Sequence, residues 1–447
     1  FNILEREQKI NLFLRIINRD EIFNNAFYSL AIKILSVFLA YFFNFYISRK
    51  YGAVSIGILN VAVSFMSLFS VMAVFGFDQV ILRLFAQYSD NIFALKKIYF
   101  KVAVFVVLIS IFFSSLMILY SKTISIYLLK SEGYRTMIFF VAVTIPFLAI
   151  NSINVEAIRG LKLVKDSELF RMFYGSLINL IVFFLLLTFV QFNNFIPVLS
   201  TIIGTLFTSI LSSWFLIRKL KLDSGLGNEP YIRGKDLLSI SIPMLIIAAS
   251  NIFTNYIPVY ILAYLKSPKD VGIYNIAFKI ATVTSFFLVS INSIVAPKFA
   301  ELYWSNRTKE LKKTVLKSAK LNFWSSTPVL LPFIFFPKFF MGLFGIEFVE
   351  GYRSLIILSI GQFVNAFCGS VGYLLTMTGN QDVFRNIYFI STILNLLLCF
   401  ILIPLLGVDG AALSFSISMI FWNVLSLIIV KKKFGFVTYY LPFLKNE

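Results

Sequence analysis

Val54-Ser-Ile-Gly-Ile-Leu-Asn-Val-Ala62 returns later in the chain as Lys269-Asp-Val-Gly-Ile-Tyr-Asn-Ile-Ala277, which sets Gly57 on Gly272 and Asn60 on Asn275, 215 positions apart. Apolar residues match easily by chance, but glycine and asparagine inside apolar runs do not. A second pair follows at nearly the same offset: Phe170-Arg171 with Leu177-Ile-Asn179 resembles Phe384-Arg385 with Ile393-Leu-Asn395. That offset is close to half of the 447 residues. A duplicated chain is therefore expected, with a site where its two halves meet.

Working outward from the repeat, each half reads as membrane-embedded. The chain is 59% hydrophobic, 17% aromatic and only 14% charged, with a mean hydropathy of +0.86. A helix rises about 1.5 Å per residue, so about twenty residues cross about 30 Å of hydrocarbon. Runs of that length, bounded by charge or turn residues, lie at 23–47, 54–82, 98–120, 136–157, 172–190, 195–217, 237–264, 271–295, 317–338, 353–377, 386–406 and 410–430. Six runs per half, an even number, give parallel repeats about an axis along the membrane normal. The expected fold is an all-α polytopic membrane protein, with two six-helix bundles (23–217 and 237–430) around a central cavity. Residues 1–22 read as an N-terminal interfacial segment, 218–236 as a linker and 431–447 as a tail. The chain opens on Phe1 rather than Met, which points to residues preceding it, and no cleavable signal peptide is visible.

Forty Lys and Arg against 21 Asp and Glu leave a net charge of +19. A nucleic-acid partner is not expected, because the basic residues fall in short clusters between apolar runs rather than along one soluble domain. Those clusters accumulate in alternate loops: Arg83 with Lys96 and Lys97, the group from Arg159 to Arg171, 218–235, 298–320, Arg385 and 431–433. By the positive-inside bias that side is the cytoplasm, and both termini lie there. There is no histidine, and Cys368 and Cys399 fall inside apolar runs. No metal site, disulfide framework, cofactor or catalytic residue is expected.

Two cations stand out because of where they fall. Lys33 and Lys279 each occupy the middle of an apolar run, where a lysine costs roughly 2.5–3.5 kcal/mol unless it faces protein or water. No carboxylate lies comparably deep; Asp78, Glu156 and Asp409 fall toward the ends of their runs. A cavity lined by both lysines favours an anion. The competing reading for each is a structural lysine bonded to carbonyls or a neighbouring helix end. Arg49 at the outer end of the first run, with Arg83, Arg159 and Lys298 at inner ends, either hand such an anion in and out or anchor lipid headgroups. Asp78 is the candidate for ion coupling, or pairs locally with Arg83. Pro243 and Pro258 predict kinks in the seventh run.

Tyr46-Ile-Ser-Arg-Lys-Tyr-Gly52 followed by Gly57, then Phe75-Gly-Phe-Asp-Gln-Val-Ile-Leu-Arg83, resembles the opening two helices of polysaccharide-export flippases of the Wzx type. Ile403-Pro-Leu-Leu-Gly-Val-Asp-Gly-Ala-Ala412 resembles the turn between their last two helices. Such a resemblance to the multidrug/oligosaccharidyl-lipid/polysaccharide (MOP) exporter superfamily implies alternating access in a bacterial cytoplasmic membrane. The implied substrate is an isoprenoid-pyrophosphate-linked oligosaccharide, an O-antigen or similar repeat unit, turned from the cytoplasmic to the outer leaflet. Membrane lipids, a polysaccharide polymerase and chain-length machinery are the implied neighbours. Two other readings remain at this point: a cation-coupled multidrug exporter of the same fold, and a membrane glycan polymerase or ligase.

Overall fold

A computed structural model describes residues 2–88, 91–128, 134–189, 193–221 and 234–440; for 2–27, 29, 30, 128, 221, 234–236, 240 and 293 only the backbone is described. Most of the expected linker and the last residues of the expected tail lie outside these ranges. Among the described residues eight helices are long and apolar enough to cross a membrane, and three bent pairs raise that number to eleven. One of the eight, Ala31–Val74, has 44 residues, about 66 Å of helix where about 30 Å suffices. It is two spans. Gly52 divides them with left-handed backbone (φ 77°), and Ala40, Phe43 and Asn44 before it face the same cavity as Leu59, Asn60 and Val63 after it. The chain doubles back there, giving twelve spans among the described residues.

The second span continues past a break at Phe75 and Gly76 as Phe77–Gln87. Ile92–Leu119, Arg135–Gly160, Val164–Phe189 and Ile196–Lys221 complete the first six. Gly234–Leu265 is the seventh, and Pro268–Thr282 with Ser285–Trp304 form the eighth, bent by 45°. The ninth is Thr308–Phe335, the tenth Tyr352–Cys368 with Val371–Met377, the eleventh Gln381–Leu406 and the twelfth Val408–Phe434. The helix of residues 2–51 has no interruption at position 22, so the N-terminal segment and the first span are one helix.

Two corrections to the expected boundaries change the reading of the site. With the turn at Gly52, the twenty residues needed for the first span begin near residue 32, and Lys33 falls at its lysine-rich end rather than its middle. The eighth span starts at Pro268, so Lys279 lies eleven residues in, about 17 Å from the opposite end. It keeps its central depth.

The repeated motifs touch each other. A Cβ on Gly57 would strike the carbonyl oxygen of Pro268, and one on Gly272 would strike that of Ala53. Each glycine lacks the methyl that would hold the two helix starts apart. Around this contact the lysine-poor ends are tied together. Glu347, on the segment after the ninth span, accepts the Ala53 N–H at 2.6 Å, and Lys269 pairs with Glu350 at 2.9 Å. The first part of the eighth span, Pro268–Thr282, packs on the first two spans, whereas Ser285–Trp304 packs on the ninth and tenth. Toward the lysine-rich side the halves meet again where Gly76 faces the Ser241 carbonyl.

Pro243 and Pro258 both lie inside one seventh helix, Gly234–Leu265. Pro258 has no N–H for the Thr254 carbonyl. Asn395 of the eleventh span donates to that oxygen at 3.0 Å instead.

Candidate functional site

Between the two groups of six spans lies a cavity of about 460 Å³. Its polar lining is largely amide and hydroxyl: Asn44, Asn60, Asn179, Asn255 and Asn275, with Tyr256 and Tyr274. Asn60 and Asn275, the polar positions of the repeated motif, both reach it. Among the described residues Lys279 is the one charged residue of the lining, and no Asp or Glu contributes to it.

The Lys279 ammonium donates to Asn44 Oδ1 at 2.6 Å, and among the described residues it has no carboxylate partner. Asn44 is itself turned by donating to the Ala40 carbonyl at 2.6 Å. Its amide is therefore held with the oxygen toward the lysine and the nitrogen toward the helix. Four residues beyond Lys279 the eighth span breaks at Val283 and Thr284, without proline or glycine. Hydroxyls take up the freed carbonyls. Thr282 Oγ1 donates to Phe278 at 2.8 Å and to Lys279 at 3.1 Å, and Tyr41 OH reaches the Lys279 carbonyl from the first span at 2.5 Å. Lys279 thus lies in the last turn of a half-helix, where the negative end of the helix dipole favours a cation.

Lys33 is placed elsewhere. Its ammonium lies 3.7 Å from Glu168, in a cluster where Arg171 binds Glu156 at 2.6 Å, approaches Glu168 at 4.0 Å, and Arg159 approaches Glu156 at 3.7 Å. Glu156 and Glu168 are buried, 5% and 7% exposed. The expectation of two unpaired lysines in one cavity is thus corrected for Lys33, whose charge is matched by a buried carboxylate. A π-helical turn at Leu169–Phe173 adds a residue to the helix and swings Arg171 between the two glutamates. That turn has no sequence signature, and Glu168 was hidden in a polar stretch read as loop.

The remaining candidates lie apart from the cavity. Arg49 donates to the Leu343 carbonyl at 2.6 Å, bracing the first span against the end of the short helix Pro337–Phe344. Arg83 and Lys298 are exposed. Asp78 accepts from Gln79 at 3.3 Å rather than pairing with Arg83. Asn44 escaped sequence reasoning, although a lone asparagine inside an apolar run was a signal of the same kind as the lysine.

A family model described as polysaccharide biosynthesis protein matches residues 22–303, more than half of the chain. The chain belongs to this family. A second model, described as MatE, matches 243–401. Among relatives, the capsular polysaccharide biosynthesis protein CapF of Staphylococcus aureus is 26% identical over 245 residues, 54% of this chain and 61% of that one. A probable low-salt glycan biosynthesis flippase, Agl15 of Haloferax volcanii, is 23% identical over 199 residues, 44% of this chain and 42% of its own. In both cases the match spans less than two thirds of the relative. Among solved structures, an inward-facing multidrug resistance MATE family transporter of the MOP superfamily superposes with a TM-score of 0.74 at 14% identity, over 92% of this chain and 98% of that one. This polysaccharide biosynthesis family member thus has the all-α, multi-pass MOP transporter fold.

Proposed function

We propose that the protein is a flippase carrying an isoprenoid-pyrophosphate-linked oligosaccharide from the cytoplasmic to the outer leaflet by alternating access, with Lys279 meeting the pyrophosphate. The observation that carries this reading is the unpaired ammonium at mid-membrane in a cavity otherwise lined by neutral groups. A phosphate crossing hydrocarbon must exchange water for other donors, and an ammonium with several amides beside it supplies a point charge and N–H groups together. The lysine-rich loops set the direction of loading. With the cytoplasm negative, each negative charge moved outward gains about 2.3 kcal/mol per 100 mV. Arg49, Arg83, Arg159 and Lys298 fall outside this role: Arg49 and Arg159 serve packing through the Leu343 carbonyl and Glu156, and the exposed Arg83 and Lys298 serve topology or lipid contact. A cation-exchanging drug carrier is disfavoured by the missing carboxylate in the cavity, and a glycan polymerase by the duplicated architecture.

The test is a leaflet assay in cells. Loss of the protein is expected to trap lipid-linked glycan at the cytoplasmic face, and Lys279→Gln at matched protein level is expected to do the same. Accumulation of single glycan units already outside would instead identify a polymerase and overturn the reading.

A further inference from the structure

Resting on that reading, we propose that a second cavity, about 340 Å³ between the seventh, eighth, tenth, eleventh and twelfth spans, is a carbohydrate subsite that takes a pyranose ring of the lipid-linked glycan. Its walls combine aromatic faces with amides. Trp422 stands edge-on to Phe384, with ring centres 5.8 Å apart and planes at 79°, and meets Tyr388 at 6.0 Å. Tyr388 OH donates to Asn251 Oδ1 at 3.1 Å, fixing both side chains. Asn292, 2% exposed, lines the same space, and its Oδ1 has no hydrogen-bond partner. A buried amide oxygen left unmatched costs free energy until a donor arrives.

These are the groups a sugar needs. Pyranose rings present C–H faces that rest on aromatic rings, and a rim of hydroxyls that donate to and accept from amides. The volume is at the small end of ligand pockets, suited to one or two sugar units. Among the described residues no carboxylate lines it, and its one charged residue is Arg385, paired with Asp382 at 3.0 Å, a lining that does not favour a cationic ligand.

The position relative to Lys279 fits one ligand in both cavities. Asn251 lines the second cavity and Asn255 the central one, a single turn apart on the seventh span and joined by an Asn255 Nδ2 to Asn251 carbonyl bond of 2.9 Å. The two cavities therefore adjoin along the seventh span, as a sugar attached to a pyrophosphate at Lys279 requires.

The experiment measures binding to purified protein in nanodiscs. The probes are farnesyl pyrophosphate and its conjugates with glucose, galactose and N-acetylglucosamine. With the native chain, at least one conjugate is expected to bind tenfold or more tightly than the bare pyrophosphate. Trp422→Leu and Asn251→Leu are each expected to bring that ratio to within twofold of one, whereas Tyr388→Phe keeps most of it because the ring remains. Lys279→Gln is expected to weaken bare lipid and conjugates alike by tenfold or more, leaving the ratio. Equal binding of all four probes by the native chain overturns the sugar subsite while a Lys279 effect upholds the pyrophosphate site. Loss of bare-lipid binding in Trp422→Leu as large as the loss for the conjugates also overturns it, since the cavity then holds the isoprenoid chain. A ratio that survives in Trp422→Leu and Asn251→Leu, both folded by circular dichroism, overturns it as well.

Discussion

The second and eighth spans begin alike and end unlike. From Gly57 to Asn60 and from Gly272 to Asn275 they follow one pattern, pack on each other and send an asparagine into the shared cavity. One turn further on, the position that holds Lys279 in the eighth span holds Ser64 in the second, and the position of Asn44 corresponds to Val259. Even the supporting bonds are near copies. Tyr41 of the first span binds the Lys279 carbonyl, and Tyr260 of the seventh binds the Ser64 carbonyl at 2.7 Å. Backbone contact holds the two halves to a common form, whereas the charge sits on one side only. Duplication builds the scaffold, and divergence within it places the chemistry.

The sharpest way to break that comparison is to move the charge across the axis. The double variant Ser64→Lys with Lys279→Ser keeps net charge and depth, but Val259 offers no amide to orient the new ammonium. We expect glycan export to fall at least tenfold at matched expression, as with Lys279→Gln alone. Near-normal export by the swapped protein would mean that only the presence of a cation matters and not its setting.

Next in size is the symmetric contact. Gly57→Val places a branched side chain against the Pro268 backbone, and overpacking of this kind costs about 1–3 kcal/mol. A cysteine pair at positions 53 and 268 should cross-link readily in the native background and poorly in Gly57→Val. Unchanged cross-linking would show that the glycines are not what brings the helix starts together.

Much of this was readable in the sequence. Twelve apolar runs, the 215-residue offset and the central lysine of the eighth span follow from hydropathy and from rare residues in apolar surroundings, which local order carries. Lys33 shows where that stops. A run's centre is not the membrane's centre when a left-handed glycine, Gly52, sets the true end of the helix, and the Lys33–Glu168 pair joins residues 135 apart in sequence. The break at Val283 was equally hidden, because threonine hydroxyls rather than proline relieve it. Asn395 belonged to the repeat, but its bond to the carbonyl freed by Pro258 depends on two spans 137 residues apart in sequence from Pro258 to Asn395.

That bond gives a third prediction. Asn395→Leu leaves the Thr254 carbonyl without its donor, and thermal unfolding in detergent should register a loss of about 1 kcal/mol. An unaltered midpoint would mean that water or another side chain serves the oxygen.

The paired lysine should matter less to transport than the unpaired one. For Lys33→Gln we expect export to stay within threefold of normal, and Glu168→Gln in the same chain to restore what is lost, since removing both charges leaves neither buried alone. A Lys33 effect as large as that of Lys279 would place both in the substrate path. The smallest effect belongs to the surface pair at the lysine-poor end. There Lys269 donates to both carboxylate oxygens of Glu350 at 2.9 Å, with both side chains partly in solvent. Lys269→Ala should shift stability by less than about 1 kcal/mol, with no change in its pH dependence between 6 and 8.

The unmatched ammonium in the central cavity also decides how the empty protein feels voltage. Without cargo the cavity holds one positive charge at mid-depth, and a negative cytoplasm draws it inward. Under the proposed function, a pyrophosphate diester with two negative charges reverses the sign of the cavity, and the same field then pushes the loaded form outward. One potential difference would drive both strokes in opposite directions, at about 2.3 kcal/mol per unit charge per 100 mV for a full crossing. The lysine would then be a return spring as well as a receptor, and Lys279→Gln is expected to weaken the voltage dependence of resetting.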